Sequence, residues 1–269
     1  FATQRLARFL QGPAIQNHLE HGGILASRWT AFASGLGFMA VLFGVAFLTV
    51  YKSGGAFAAS KSVVIGTKDE VYYSGSATKQ DAETLGNALK SDSYFTDRGA
   101  DVLLTKGTDS TTLSFVVQDK FLSQPGLLGS FEEVARQVAP SVGGYPVQLR
   151  IMNTAREVQL ESAVGKVDFP GNDSIYYLGT VKQSEAQALG KSLQSVRFFQ
   201  GRGNDVFLSR HKDGTAIAYV VSNGSWEKPE LVGDFEKITR NAAPSVGGLP
   251  ITLRLMNTSL DTKKEQLIQ

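Results

Sequence analysis

A repeat with a period of 104 residues constrains this chain more than any other feature. At that fixed offset Val71–Thr154 falls on Ile175–Thr258. Tyr72-Tyr73 matches Tyr176-Tyr177, and Leu85-Gly86 matches Leu189-Gly190. Arg98-Gly99-x-Asp101-Val102 returns as Arg202-Gly203-x-Asp205-Val206. The longest match, Ala139-Pro140-Ser141-Val142-Gly143-Gly144-x-Pro146, returns as Ala243 to Gly248 and Pro250. Leu149-Arg150-x-Met152-Asn153-Thr154 returns as Leu253-Arg254-x-Met256-Asn257-Thr258. About 40% of the aligned positions are identical, far beyond chance for so long a period. The chain therefore holds one domain twice, and a unit of about 100 residues can bury a core of its own.

Each copy reads alike. In the first, Glu70–Tyr73 is apolar enough for a strand, and Ala82, Leu85 and Leu89 give Gln80–Lys90 helical spacing. Asp101–Thr105 and Thr112–Val117 form strands about a polar turn. Leu127, Leu128, Phe131 and Val134 mark a second helix over Leu127–Val138. Pro140 and Gly143-Gly144 stop it before a closing strand, Pro146–Ile151. The order β-α-β-β-α-β resembles the ferredoxin-like split βαβ pattern, with two helices on one face of an antiparallel sheet. Short apolar pieces, Val63–Ile65 and Ala163-Val164, offer an edge strand ahead of each copy. The expected division is 62–155 and 173–262 for the repeats, 156–172 for a linker and 263–269 for a tail.

Ahead of the repeats, Thr30 to Val50 carries no ionisable side chain. That length matches the roughly 20 residues a helix needs to cross a bilayer. Trp29 and Tyr51 bracket the run, with Arg28 and Lys52 outside them, as interfacial anchors do. The expectation is an uncleaved single transmembrane helix over 29–51, a juxtamembrane segment over 1–28 and a tether over 52–61. Ala33 with Gly37, and Ala40 with Gly44, give small-residue spacing that lets another membrane helix approach. Arg5, Arg8 and Arg28 on one side balance Lys52, Lys61 and Lys68 on the other, so charge does not orient the span. The usual disposition of a lone N-terminal anchor puts the repeats in the periplasm of a bacterial inner membrane.

The chemistry-bearing residues are few. There is no Cys, which removes disulfides and thiolate catalysis, and only three His. Lys+Arg number 27 against 25 Asp+Glu, with no basic block interleaved with aromatics, so no nucleic-acid partner is expected. His211 falls in a turn, and Ser141 and Ser245 stand outside any nucleophile-elbow pattern. Gly143-Gly144 and Gly247-Gly248 follow a helix, whereas phosphate loops precede one. Arg98 with Asp101, and Arg202 with Asp205, read as local ion pairs. His18 and His21, three apart, are the one pair with ligand-like spacing, for a metal or a tetrapyrrole. No catalytic residue and no resident cofactor or metal is expected.

The two copies differ most at Phe121 and Leu122, in an apolar loop whose counterpart holds Trp226. Apolar side chains in a loop mark a contact surface, so these three are the expected partner-facing residues. The reading is a non-catalytic accessory or structural subunit of a larger membrane complex, respiratory or photosynthetic. Its partners are then the bilayer, neighbouring membrane helices and other subunits. The alternative is a peptide- or ligand-binding module of an envelope secretion or sensing system, with an enzyme less favoured.

Overall fold

The computed structural model describes Phe57 and residues 60–269. It divides into two compact units, parted between Ser162 and Ala163. The first holds β1 (Lys61–Ile65), β2 (Asp69–Gly75), α1 (Lys79–Ser91), β3 (Asp101–Lys106), β4 (Thr111–Val116), α2 (Leu127–Val138) and β5 (Val147–Met152). Strand β6 (Val158–Asp168) begins in the first unit and ends in the second. The second continues with β7 (Ser174–Gly179), α3 (Gln183–Ser195), β8 (Asp205–His211), β9 (Gly214–Val220), α4 (Pro229–Ala242), β10 (Ile251–Met256) and β11 (Thr262–Ile268).

Sequence patterning explains the elements. Helix α1 starts at a capping box: Asp81 N–H donates to Thr78 Oγ1 at 3.2 Å, and Thr78 N–H donates back to Asp81 Oδ2 at 2.8 Å. Helix α3 keeps half of this device, Lys182 N–H to Glu185 Oε2 at 2.9 Å. Each second helix runs into a short 3₁₀ turn, Ala139–Val142 or Ala243–Val246. Gly143 (φ +111°) and Gly144 (φ +95°) then reverse the chain in a conformation that side chains disfavour. The Ser141 hydroxyl donates to Val138 O and the Ser245 hydroxyl to Ala242 O, so both serines serve the helix end.

Strand order departs from the expected fold. In the first unit β1 pairs antiparallel with β2, β2 parallel with β3, β3 antiparallel with β4, and β4 parallel with β5. The second unit repeats this from β6 to β10, and β11 closes antiparallel on β10. Neighbours in sequence are thus neighbours in a mixed sheet, whereas a ferredoxin-like unit interleaves its strands and is antiparallel throughout. The expectation of tandem ferredoxin-like repeats is corrected accordingly. The physical reason lies in β1 and in the start of the second copy. Their hairpins occupy one edge of β2 and of β7, and a strand with one edge filled cannot sit between two later strands.

Segment 156–172, read as a linker, contains β6, and the tail 263–269 lies almost wholly in β11. Among the described residues no helix is long and apolar enough to cross a membrane. The apolar run 29–51, with Ala33, Gly37, Ala40 and Gly44, lies outside the described residues, as do His18 and His21.

In the second unit Ile175, Tyr177, Val206, Leu208, Ile217, Tyr219, Ile251, Leu253 and Leu255 form one core with Leu189 and Leu193 of α3 and Val232 and Ala242 of α4. These strand residues alternate, so both helices cover one face of the sheet. The equivalent positions of the first unit are buried too, except Tyr73 and Leu128, which are half-buried. Glycine lets the first helix of each unit close on the strand that opens it. A Cβ on Gly86 would lie 2.4 Å from the Ile65 side chain, and one on Gly190 would lie 1.8 Å from the Phe169 ring. This is why Leu-Gly recurs at 85–86 and 189–190.

Candidate functional site

Two buried aspartates outside the repeated motifs set the geometry at the start of each repeat. Asp69, 1% exposed, accepts four backbone N–H bonds: Oδ2 from Asp97 at 2.6 Å, and Oδ1 from Arg98, Gly99 and Ala100 at 3.0, 2.8 and 2.9 Å. Asp97 reaches back to the β1–β2 turn, accepting from Thr67 N–H at 2.6 Å and Lys68 N–H at 2.9 Å. In the second unit Asp173 accepts from Gly201 and Asn204 N–H at 2.7 and 2.8 Å. Arg98-Gly99 and Arg202-Gly203 therefore recur in a loop that a carboxylate holds, at Arg98 and Gly99 themselves in the first unit and at the flanking Gly201 and Asn204 in the second. Their side chains are exposed at Arg98 and Arg202.

Asp101 pairs with Arg156 and not with Arg98. Arg156 Nη2 lies 3.5 Å from Asp101 Oδ2. The guanidinium carbon stands 4.1 Å from the centre of the Phe57 ring and 5.2 Å from that of Tyr72. The two rings meet edge-on at 5.0 Å. Tyr72 donates its hydroxyl to Glu70 Oε2 at 2.7 Å, and Glu70 is the register partner of Asp101 across β2 and β3. One cation, two carboxylates and two rings thus converge on the sheet face opposite α1 and α2. Leu103 and Met152 lie beneath Phe57 there, with Tyr72 and Val116 alongside.

Burial dominates the electrostatics of this cluster. It pushes the Asp101 carboxyl up to about 6, Arg156 pulls the other way, and Glu70 adds to the rise. Burial, followed by the bond to Glu70, raises the Tyr72 phenol above its ordinary range. Asp101 can therefore exchange a proton near pH 6 while held against a fixed cation. Asp81 behaves oppositely: its bond from Lys106 at 2.6 Å and those from Thr78 hold it down to about 2.

A stability change follows from Asp101. Its folded value lies above the ordinary 3.8, so the folded state binds the extra proton between the two values. Stability contributed by that proton is present below pH 3.8 and lost as pH rises through about 6. The expected loss is about 2–3 kcal/mol. Urea midpoints of Asp101→Asn should be flatter than those of the parent between pH 4.5 and 7 by about that amount; identical slopes would refute the assignment.

The second unit keeps the frame but draws its cation from β6, where Lys166 Nζ lies 5.5 Å over the Tyr176 ring. Tyr176 and Asp205 stand where Tyr72 and Asp101 do, but Leu260 replaces Arg156 and Ser174 replaces Glu70. Elsewhere in that unit, Ser209, His211, Asp213, Thr215, Thr252 and Arg254 border a recess of about 20 Å³, room for a water molecule. His211 is the last residue of β8 and pairs with Gly214 in the hairpin.

Other expected site residues are placed as follows. Phe121 ends a 3₁₀ turn, Asp119–Phe121, and is half-buried, as is Leu122; Lys120 Nζ lies 4.7 Å over the Phe121 ring. Trp226 is half-buried against the core of its own unit. Arg150 and Arg254 form cross-strand pairs with Glu161 and Glu265 at 2.9 and 2.7 Å. Arg136 pairs with Glu133 on its own helix. Among the described residues no three His, Cys, Asp or Glu side chains cluster as metal ligands do.

Sequence reading missed Phe57, Glu70, Tyr72 and Arg156. The signal available was a difference between copies: Arg156 and Leu260 occupy the same turn. No family model matches the chain, and neither does any curated protein.

Proposed function

We propose that the protein is an accessory or structural subunit, a doubled scaffold that braces a larger assembly. One observation carries this reading: a set of polar groups that the two copies share holds the fold together. Asp69 and Asp173 hold loops, Ser141 and Ser245 cap helix ends, and Arg150–Glu161 and Arg254–Glu265 tie neighbouring strands. Selection that repeats such groups maintains shape, and shape is what a scaffold contributes. Half-buried Phe121 and Leu122 then supply contact area without leaving the fold short of core.

Gentle extraction of the full chain and a native gel test the proposal directly. The expected result is migration with partners, reduced at least tenfold by Phe121→Asp with Leu122→Asp while circular dichroism stays unchanged. A monodisperse lone monomer would sink it.

A second reading has its own support. Val64 on β1 is 57% exposed and Leu267 on β11 is 55% exposed, apolar residues on strands that begin and end the order. An extended peptide adding to such an edge would gain main-chain hydrogen bonds. Lys263 and Lys264 on β11 oppose that use, since charge on an edge discourages pairing.

A further inference from the structure

Phe57 lies four residues ahead of β1, yet it is 6% exposed. Its carbonyl accepts from the Ser60 backbone at 3.2 Å and from the Ser60 hydroxyl at 2.7 Å, closing a tight turn that leads into the strand. Its ring sits on Tyr72 and Leu103, on the face away from the helices, and the Arg156 guanidinium covers it. We propose that Arg156 and Tyr72 form a clamp that fastens the chain preceding β1, through Phe57, to the sheet face of the first unit. The clamp fixes the point from which that upstream chain departs.

The repeat supplies an internal control. Arg156 has φ +63° in a turn where its N–H donates to Asn153 O at 2.9 Å. Leu260 has φ +65° in the same turn, with the same bond to Asn257 O. The turn therefore forms without arginine. At the same offset Phe57 falls on Glu161, a strand residue paired with Arg150. Two departures from the repeat thus touch each other, which neither the fold nor the duplication demands. A guanidinium over two rings is worth more than a leucine in that turn, because it adds cation–π attraction to the covered area; in the other copy the cation over Tyr176 is Lys166 of β6 and does not come from the turn. Asp101 holds the guanidinium from the β3 side, while Glu70 fixes the Tyr72 hydroxyl and the nearby charge of Asp69 is taken up by the loop 97–100.

The test uses the full chain labelled with ¹⁵N. Arg156→Leu installs the residue the second copy already tolerates. It should speed exchange of the Ser60 amide about tenfold, as loss of a cation–π contact of ordinary strength implies. Cross-relaxation between the Phe57 and Tyr72 rings should weaken with it, while the Val71 and Val102 amides stay as protected as before. Phe57→Ala should reproduce the Ser60 effect. Unchanged Ser60 exchange in both variants would overturn the clamp. So would Val71 and Val102 loosening in step with Ser60, because Arg156 would then support the unit as a whole.

Discussion

Asp69→Ala is expected to destabilise the first unit by about 3–5 kcal/mol, enough to unfold a marginal domain. The carboxylate is 1% exposed and accepts four backbone N–H groups, from Asp97 through Ala100. Removing it leaves four donors without their acceptor, one buried and three part-buried, and an unmet buried donor costs about 1–3 kcal/mol before relaxation. Water entering the gap restores part of that, which sets the range. The loop also carries Asp97, which holds the β1–β2 turn through Thr67 and Lys68, so the loss spreads to the edge hairpin. Asp69→Asn keeps one carbonyl acceptor and should cost less. Asp173→Ala removes two accepted bonds instead of four and should cost about half as much as Asp69→Ala. Hydrogen exchange resolved by peptide gives the measurement. Asp69→Ala should expose residues 69–75 and 101–106 first, and equal effects of the two substitutions would contradict the bond count.

Gly190→Ala carries the second large effect, and its sign reverses the usual rule. Glycine inside a helix normally costs about 1 kcal/mol relative to alanine, so replacing it stabilises. At Gly190 the added methyl would lie 1.8 Å from the Phe169 ring, which itself packs on Phe199 and the core of the second unit. The ring must leave or the helix must lift, and overpacking of that kind costs about 1–3 kcal/mol. Phe169→Ala should make the alanine at 190 tolerable, giving a double mutant more stable than additivity allows. Gly233→Ala in α4 is the matched control. Nothing lies within 4 Å of its missing methyl, so about 0.5–1 kcal/mol of stabilisation is expected. If both alanines stabilise, the close approach of Phe169 to α3 is wrong.

The helices and strands themselves are legible without a structure. The spacing of Ala82, Leu85 and Leu89 places α1 to within a residue, and that of Leu127, Phe131 and Val134 places α2. The two middle strands of each copy fall where alternation and the polar turn put them. The site was less legible, because its parts are far apart in sequence. Arg156 meets Asp101 across 55 residues and Phe57 across 99, and no local spacing announces either contact. Asp69 looks like any strand-start aspartate until the loop it holds is folded over it.

What the sequence by itself determined is the period of 104 residues and, with it, one module built twice from the same elements in the same order. Local periodicity suffices for that, since each helix and strand records its own buried face. What only the tertiary structure decided is which strands lie side by side. The string β-α-β-β-α-β fits an interleaved antiparallel sheet and a sequential mixed one equally well. The choice fell to the hairpin strands at the start of each copy, which take one edge of β2 and β7 and leave room for a single further neighbour. Edge occupancy is a property of pairing between segments, and no pattern within a segment encodes it.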